Sequence, residues 1–397
     1  MNKALAIISI LFGCILSATA AVPDEGVTVP LTYYPQYGIY TAQIKVGHDP
    51  VQEVEAIVDT GSSSMVFTGD PTYCPDCKHS LTKGAIKPEK MKPTPLSKEI
   101  PLSYGSANDT ATEYLAPIQV TDKKEHAIDM HIFVLKDSNQ PSSILGMIHH
   151  DLREDLVKFT PFLAKLTNHF SKYKETTFVL CGEDGKSYFH VGKMNLPKPL
   201  FSSRLHESKF YEITTYGFYT QKEEPIPGSP KKEGEAIIDT GTGGFIVLTD
   251  ELYKPLIKYI KDHAGKKNQD LDKKFWEQNY CIVKKDVDIE AFPTLKVGFK
   301  TLSHQTGFLT LKPTTYLNGA GCDKGYVRLV FMSGLYEGHP TAARNAHLRK
   351  AANVFPEMII GTSVLNEHPL HIHHHDDPYV SFFNKEDFCK AEQVKKR

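Results

Sequence analysis

Short stretches of this chain alternate apolar and polar residues, and few are apolar on a helical period. The run from Tyr37 to Val46 (YGIYTAQIKV) alternates in part, as do Thr177 to Cys181 and Phe210 to Tyr219. Each predicts a strand with one face buried. Helical spacing is clearest around Asp151 to Ser171, Asp250 to His263 and Thr341 to Asn353. The pattern predicts an all-β protein with a few short helices.

One apolar pattern occurs twice. Glu55-Ala56-Ile57-Val58-Asp59-Thr60-Gly61-Ser62 returns as Glu235-Ala236-Ile237-Ile238-Asp239-Thr240-Gly241-Thr242. In each copy a short β-branched run reads as a buried strand, and the glycine permits the sharp turn behind it. A second segment also returns, as Ser143-Ile144-Leu145-Gly146 and then Ile359-Ile360-Gly361. Each half is therefore ordered as strand, Asp-Thr-Gly turn, long β-rich excursion and apolar-apolar-Gly segment. The Pro-rich stretch Asn195-Leu196-Pro197-Lys198-Pro199 is the expected boundary, giving lobes over 21–198 and 199–397.

The N-terminus changes the picture of where the protein works. Lys3, the apolar run from Ala4 to Ile15 and the small residues Ala18-Thr19-Ala20 read as a secretory signal peptide over 1–20. The run is too short for a membrane span. A lipid-anchored N-terminus through Cys14 is the rival, against which the bulk of Phe12 counts. The formal net charge of −1 supplies no basic field, so nucleic acid is not an expected partner. Lysines between Lys78 and Lys98 sit among prolines and glutamates and read as a solvated loop. After Cys14 the chain keeps Cys74, Cys77, Cys181, Cys281, Cys322 and Cys389. An even set in an exported chain suggests disulfides. Cys74-Pro75-Asp76-Cys77 has the spacing of a redox or half-zinc motif. No second pair has that spacing, so a small structural disulfide loop is favoured.

A single Asp-Thr-Gly is an ordinary turn. Two copies, each with the same strand before it and its own apolar-apolar-Gly segment, point to chemistry. Two carboxylates about 3 Å apart cannot both ionise comfortably and share one proton. A water between them is activated by the ionised member and attacks a peptide carbonyl. The protonated member stabilises the oxyanion and assists the leaving amine. That reaction uses no covalent intermediate, no cofactor and no metal. The two titrations belong to the pair rather than to Asp59 or Asp239 alone.

On these motifs the chain resembles the pepsin-like (A1-type) aspartic proteases over nearly all of its length after the leader. The resemblance implies a bilobal fold with lobes related by a pseudo-twofold axis and a substrate cleft between them. Asp59 and Asp239 are then the catalytic pair. Thr60 and Thr240 lock the two turns together, and Ser62 and Thr242 bond the outer oxygens of the pair. Gly61 and Gly241 allow close approach of substrate backbone. Leu102-Ser103-Tyr104-Gly105-Ser106 resembles the flap tip, with Tyr104 closing over the peptide and Gly105 and Ser106 pairing with it. Cys281 with Cys322 resembles the C-lobe disulfide and Cys74 with Cys77 a shortened N-lobe loop, leaving Cys181 with Cys389 as a third pair. The implied activity is endopeptidase cleavage between apolar residues of an extended peptide or protein substrate, by a monomer that is secreted or periplasmic.

Several positions depart from the family pattern. Many members carry a Trp whose indole supports the flap Tyr, whereas Val66 stands there and the only Trp is Trp276. The stretch from Ile132 to Ile144 is short, and Gly243 stands where a Ser is common. Thr362 follows Gly361 where digestive members often have Asp. Losing that charge eases ionisation of the pair, so activity is expected in acid but not only in extreme acid. There is no room for a basic prosegment between Ala20 and Tyr37, as in prosegment-free, including bacterial, relatives. The sequon Asn108-Asp109-Thr110 sits just past the flap tip, where a glycan is expected to be unused. His371, His373, His374 and His375 read as an exposed polar edge or turn rather than a metal site, and the segment over 341–353 as an added surface helix. The rival function is a catalytically silent binding or inhibitor protein on the same fold.

Overall fold

The computed structural model describes residues 22–23, 26–91, 99–104, 107–123, 126–139, 141–149, 160–170, 174–183, 185–207, 210–230, 232–333, 356–374 and 377–389. The expected leader over 1–20, the first part of the helix expected from Asp151, the helix expected over 341–353, and His375 lie outside these residues. So do Gly105 and Ser106.

Strands dominate, as the alternation predicts. In Val27–Tyr34, Val27 and Val29 turn inward while Thr28 and Pro30 face out, the period of a half-buried strand. Val54 to Val58 and Ala236 to Ile238, in the strands Gln52–Asp59 and Gly234–Ile238, are instead buried without a break, because neighbours cover both faces. The expected strand from Tyr37 starts at Ile39, since Pro35 to Gly38 form a turn. Gly38 sits at φ +64°, and a Cβ there would lie 2.6 Å from Gly244, so the turn is pressed against the second half of the chain. The other two predicted strands form over Glu175–Val179 and Glu212–Thr220.

A 13-stranded sheet draws on both halves of the chain. Its first six strands, Phe201–Arg204, Tyr379–Phe382, Leu370–His373, Glu175–Val179, Ser187–Val191 and Val27–Tyr34, pair antiparallel in that order. Sheet order then continues through Ile39–Val46 and Gln52–Asp59 to the hairpin of Ile100–Tyr104 and Ala107–Gln119. A seven-stranded sheet is built only from second-half strands, Glu212–Thr220 and Gly234–Ile238 among them. Three disulfides join Cys74–Cys77, Cys181–Cys389 and Cys281–Cys322.

The helix expected over Asp250 to His263 has those limits, with Leu252, Leu256, Ile257 and Ile260 on its buried face. Acidic Asp250 and Glu251 open it and Lys261 and His263 close it, each charge matched to the helix dipole. A shorter helix, Phe162–Phe170, takes up the end of the region expected from Asp151. Trp276 lies in Lys273–Gln278, packed against Phe275 and Phe292. No helix among the described residues is long and apolar enough to cross a membrane.

The histidine segment departs from its expected exposure. His371 is 5% exposed on a strand with neighbours on both sides, not at an edge. Its apolar neighbours Leu370 and Ile372 are fully buried and carry it into the sheet. His373 and His374 are half-buried.

Candidate active site

Each Asp-Thr-Gly turn is held by the segment that the sequence repeats. Ile57, Val58 and Asp59 pair in parallel with Ile144, Leu145 and Gly146. Ala236, Ile237 and Ile238 pair in parallel with Met358, Ile359 and Ile360. Beyond the strands, Met147 N–H donates to Asp59 O at 2.8 Å and Thr362 N–H to Thr242 O at 3.2 Å. Gly146 and Gly361 allow the close crossing. A Cβ on Gly361 would lie 2.2 Å from the carbonyl oxygens of Thr242 and Phe245.

The two turns meet face to face. Thr60 Oγ1 donates to Ile238 O at 2.9 Å and accepts the Thr240 N–H at 2.9 Å. Thr240 Oγ1 donates to Val58 O at 2.6 Å and accepts the Thr60 N–H at 3.0 Å. Both threonines are fully buried, so four strong bonds cross between turns distant in sequence. Gly61 and Gly241 lie against the opposite carboxylates. A Cβ on Gly61 would stand 2.7 Å from Asp239 Cγ, and one on Gly241 would stand 2.4 Å from Asp59 Oδ1.

Each aspartate is oriented by its own turn. Gly61 N–H donates to Asp59 Oδ1 and Gly241 N–H to Asp239 Oδ1, both at 2.8 Å. Thr242 Oγ1 donates to Asp239 Oδ2 at 2.6 Å. The matching Ser62 hydroxyl is buried but makes no hydrogen bond of ordinary geometry. The resemblance implied hydroxyl support at both positions; Thr242 gives Asp239 a short bond, and Ser62 acts on the Asp59 carboxyl without one of that geometry. Burial pushes the Asp59 carboxyl well above the usual carboxylate range. Asp239, as a charge and as a hydrogen-bond partner, pushes it the same way, while Ser62 and the Gly61 N–H pull it back. Two carboxyls this close share a proton, and its titration belongs to the pair.

The hairpin carrying Tyr104 is formed, with Tyr104 paired to Ala107 across its end. Val66, fully buried, packs in an apolar cluster with Leu102, Ala111, Phe133, Leu135 and the Cys74–Cys77 pair. Support at the base of the hairpin is thus apolar packing around Val66.

Three residues make contacts that the sequence did not show, Thr362 having been noted only for the charge it lacks. Thr362 Oγ1 donates to Gly38 O and accepts the Gly244 N–H at 2.7 Å, tying the 35–38 turn to the Asp239 loop. Tyr211 OH donates to Met147 O at 2.8 Å, from the second half to the segment beneath Asp59. Tyr40 OH donates to Asn366 Oδ1 at 2.6 Å and accepts the Gly182 N–H at 2.8 Å. Their partners lie far away in the sequence, so no local pattern marks them.

Among the described residues, one group has metal-ligand chemistry: His206, Glu212 and Glu235, with ligand atoms within 4.8 Å of one another. Its imidazole is already engaged on both sides, Nδ1 with Glu212 Oε1 at 2.8 Å and Nε2 with Thr214 Oγ1 at 2.9 Å. The Glu212 hydrogen bond raises the His206 pKa, which describes an ion pair. No protein-family model matches this chain, and no curated protein matches it.

Proposed function

We propose that this protein is an aspartic endopeptidase of pepsin-like bilobal architecture, with Asp59 and Asp239 as its catalytic pair. The single observation that carries the reading is the reciprocal Thr60–Thr240 lock, which holds two identical turns with their carboxylates adjacent. A structural ion-pair site has no need of two like charges. Two carboxylates held together with one proton between them are poised for general acid–base attack by water.

Peptide backbone lies across the pair, close to Gly61 and Gly241. Asp239, oriented by Thr242 and the Gly241 N–H, and Asp59, with its raised proton affinity, bind the attacking water between them. The shared proton passes to the carbonyl oxygen as the water gives up its own, and collapse of the tetrahedral species returns a proton to the amine. The hairpin bearing Tyr104 lies over the peptide in this reading.

Cleavage of a peptide library from pH 3 to 7 tests it (about that range follows from carboxylate titration). Cleavage sensitive to a pepstatin-type inhibitor is expected. Asp59→Asn should lower kcat by about 10²- to 10⁴-fold or more. Folded protein that cleaves nothing across this range would remove the proposal. An optimum below about pH 2 would contradict the easing of ionisation at a pair without a third nearby carboxylate.

A further inference from the structure

Beside the loop of Asp239 lies a cation without a counter-charge. Arg328 sits on the strand Tyr326–Leu329, opposite Asn318. Its guanidinium stacks over the ring of Phe245, 4.6 Å from the centroid. Phe245 closes the run Gly243-Gly244-Phe245 that leads away from the Asp239 turn, and its carbonyl accepts the Gly361 N–H at 3.1 Å. Gly321 borders both groups: a Cβ there would stand 3.0 Å from Nη1 and 3.6 Å from Phe245 Cζ. Gly321 N–H donates to Gln36 O at 2.8 Å, so the same wall continues into the 35–38 turn.

Nothing among the described residues neutralises this side chain. Its Nε is buried with no hydrogen-bond partner. Burial alone draws its pKa down, and no carboxylate is near enough to draw it back. A half-buried cation without a partner costs free energy that a neutral side chain would not. Stacking on Phe245 holds the plane of the guanidinium, which lowers the entropy lost when a planar anion docks on its fork. A carboxylate fits that fork with two parallel bonds.

We propose that Arg328 determines specificity, pairing with the side-chain carboxylate of an Asp or Glu in the bound peptide, away from the scissile bond. This rests on the endopeptidase reading. It adds one acidic subsite to a cleft whose other preferences are apolar.

The test compares peptides with Glu or Gln at each position around a common scissile bond, at pH 5 to 6. At one position the wild-type protein should favour Glu over Gln by about tenfold or more in kcat/KM, the range of a hydrogen bond to a charged group. In Arg328→Gln that ratio should fall to about one, and Arg328→Lys should keep part of it, since charge remains but the fork is lost. For the wild-type protein alone, the preference should fade as pH falls through about 4, where the Glu side chain protonates. No position favouring Glu, or a preference that survives in Arg328→Gln, would overturn the proposal. If no peptide is cleaved at any pH, the endopeptidase reading fails by itself. Fluorescence anisotropy of the same labelled Glu and Gln peptides on the Asp59→Asn protein then decides the acidic subsite, and equal affinities for both would overturn it.

Discussion

Thr240 joins chemistry to stability in one side chain. Its hydroxyl bonds Val58 O and receives the Thr60 N–H, both in fully buried surroundings. Thr240→Val keeps the shape but leaves both backbone groups without partners, at a cost of about 2–4 kcal/mol for the two. Thr240→Ser should recover most of it, and urea unfolding midpoints of the three proteins check the order. Asp59 works in the opposite sense. Its carboxyl has a raised folded-state pKa, so the favourable protonated form is fully present below the unfolded pKa and is lost as pH rises through the folded one. Asp59→Asn removes that dependence. The variant should therefore melt higher than wild type at neutral pH, with the gap closing in acid, while the proposed peptidase activity is lost. Equal melting temperatures at both pH values would show that Asp59 is not strained.

Among the elements, the strand Leu370–His373 carries a limit on acid tolerance. Burial, with His373 and His190 nearby, lowers the His371 pKa from 6.5 to about 4. The groups facing it are Thr177 Oγ1, 2.9 Å from Nδ1, the Glu175 carboxylate 3.9 Å from Nε2, and His373 and His190. Burial outweighs the carboxylate. A histidine held neutral when folded binds its proton more readily when unfolded, so stability falls as pH drops from about 6.5 towards 4 and levels off below. The loss is on the order of 3 kcal/mol, at about 1.4 kcal/mol per pKa unit. His371→Gln should flatten this limb in a plot of melting temperature against pH, and an unchanged slope would refute it. The hairpin of Ile100–Tyr104 and Ala107–Gln119 shows a different element-scale feature. Val66, where the resembled family often carries a Trp, shares one apolar cluster with Leu102, so apolar contact supports the hairpin here.

At the scale of the molecule, the Cys181–Cys389 bridge spans 208 residues and fastens the end of the described chain to the strand region shared by both halves. Closing so long a loop restricts the unfolded chain more than either of the other bridges does. Replacing both cysteines by serine should cost about 3–5 kcal/mol, read from guanidinium unfolding under non-reducing conditions. An unchanged midpoint would mean that the tail is held by packing alone. Three disulfides in one chain also suit an oxidising compartment.

The sequence alone was enough for the strand-rich class, the helix Asp250–His263 and the two Asp-Thr-Gly turns with their apolar-apolar-Gly partners. These features are local: periodicity, charge at helix ends and the freedom of a glycine each act within a few residues. Which groups meet across the molecule was decided only by tertiary structure. Thr362 reaching Gly38, His371 drawn inside a sheet and Arg328 stacked on Phe245 all depend on contacts between distant segments. Such contacts are set by how sheets twist and pack against one another, and no window of neighbouring residues carries that information. The repeated turns therefore state where two carboxylates lie in the chain, and packing states that they face each other.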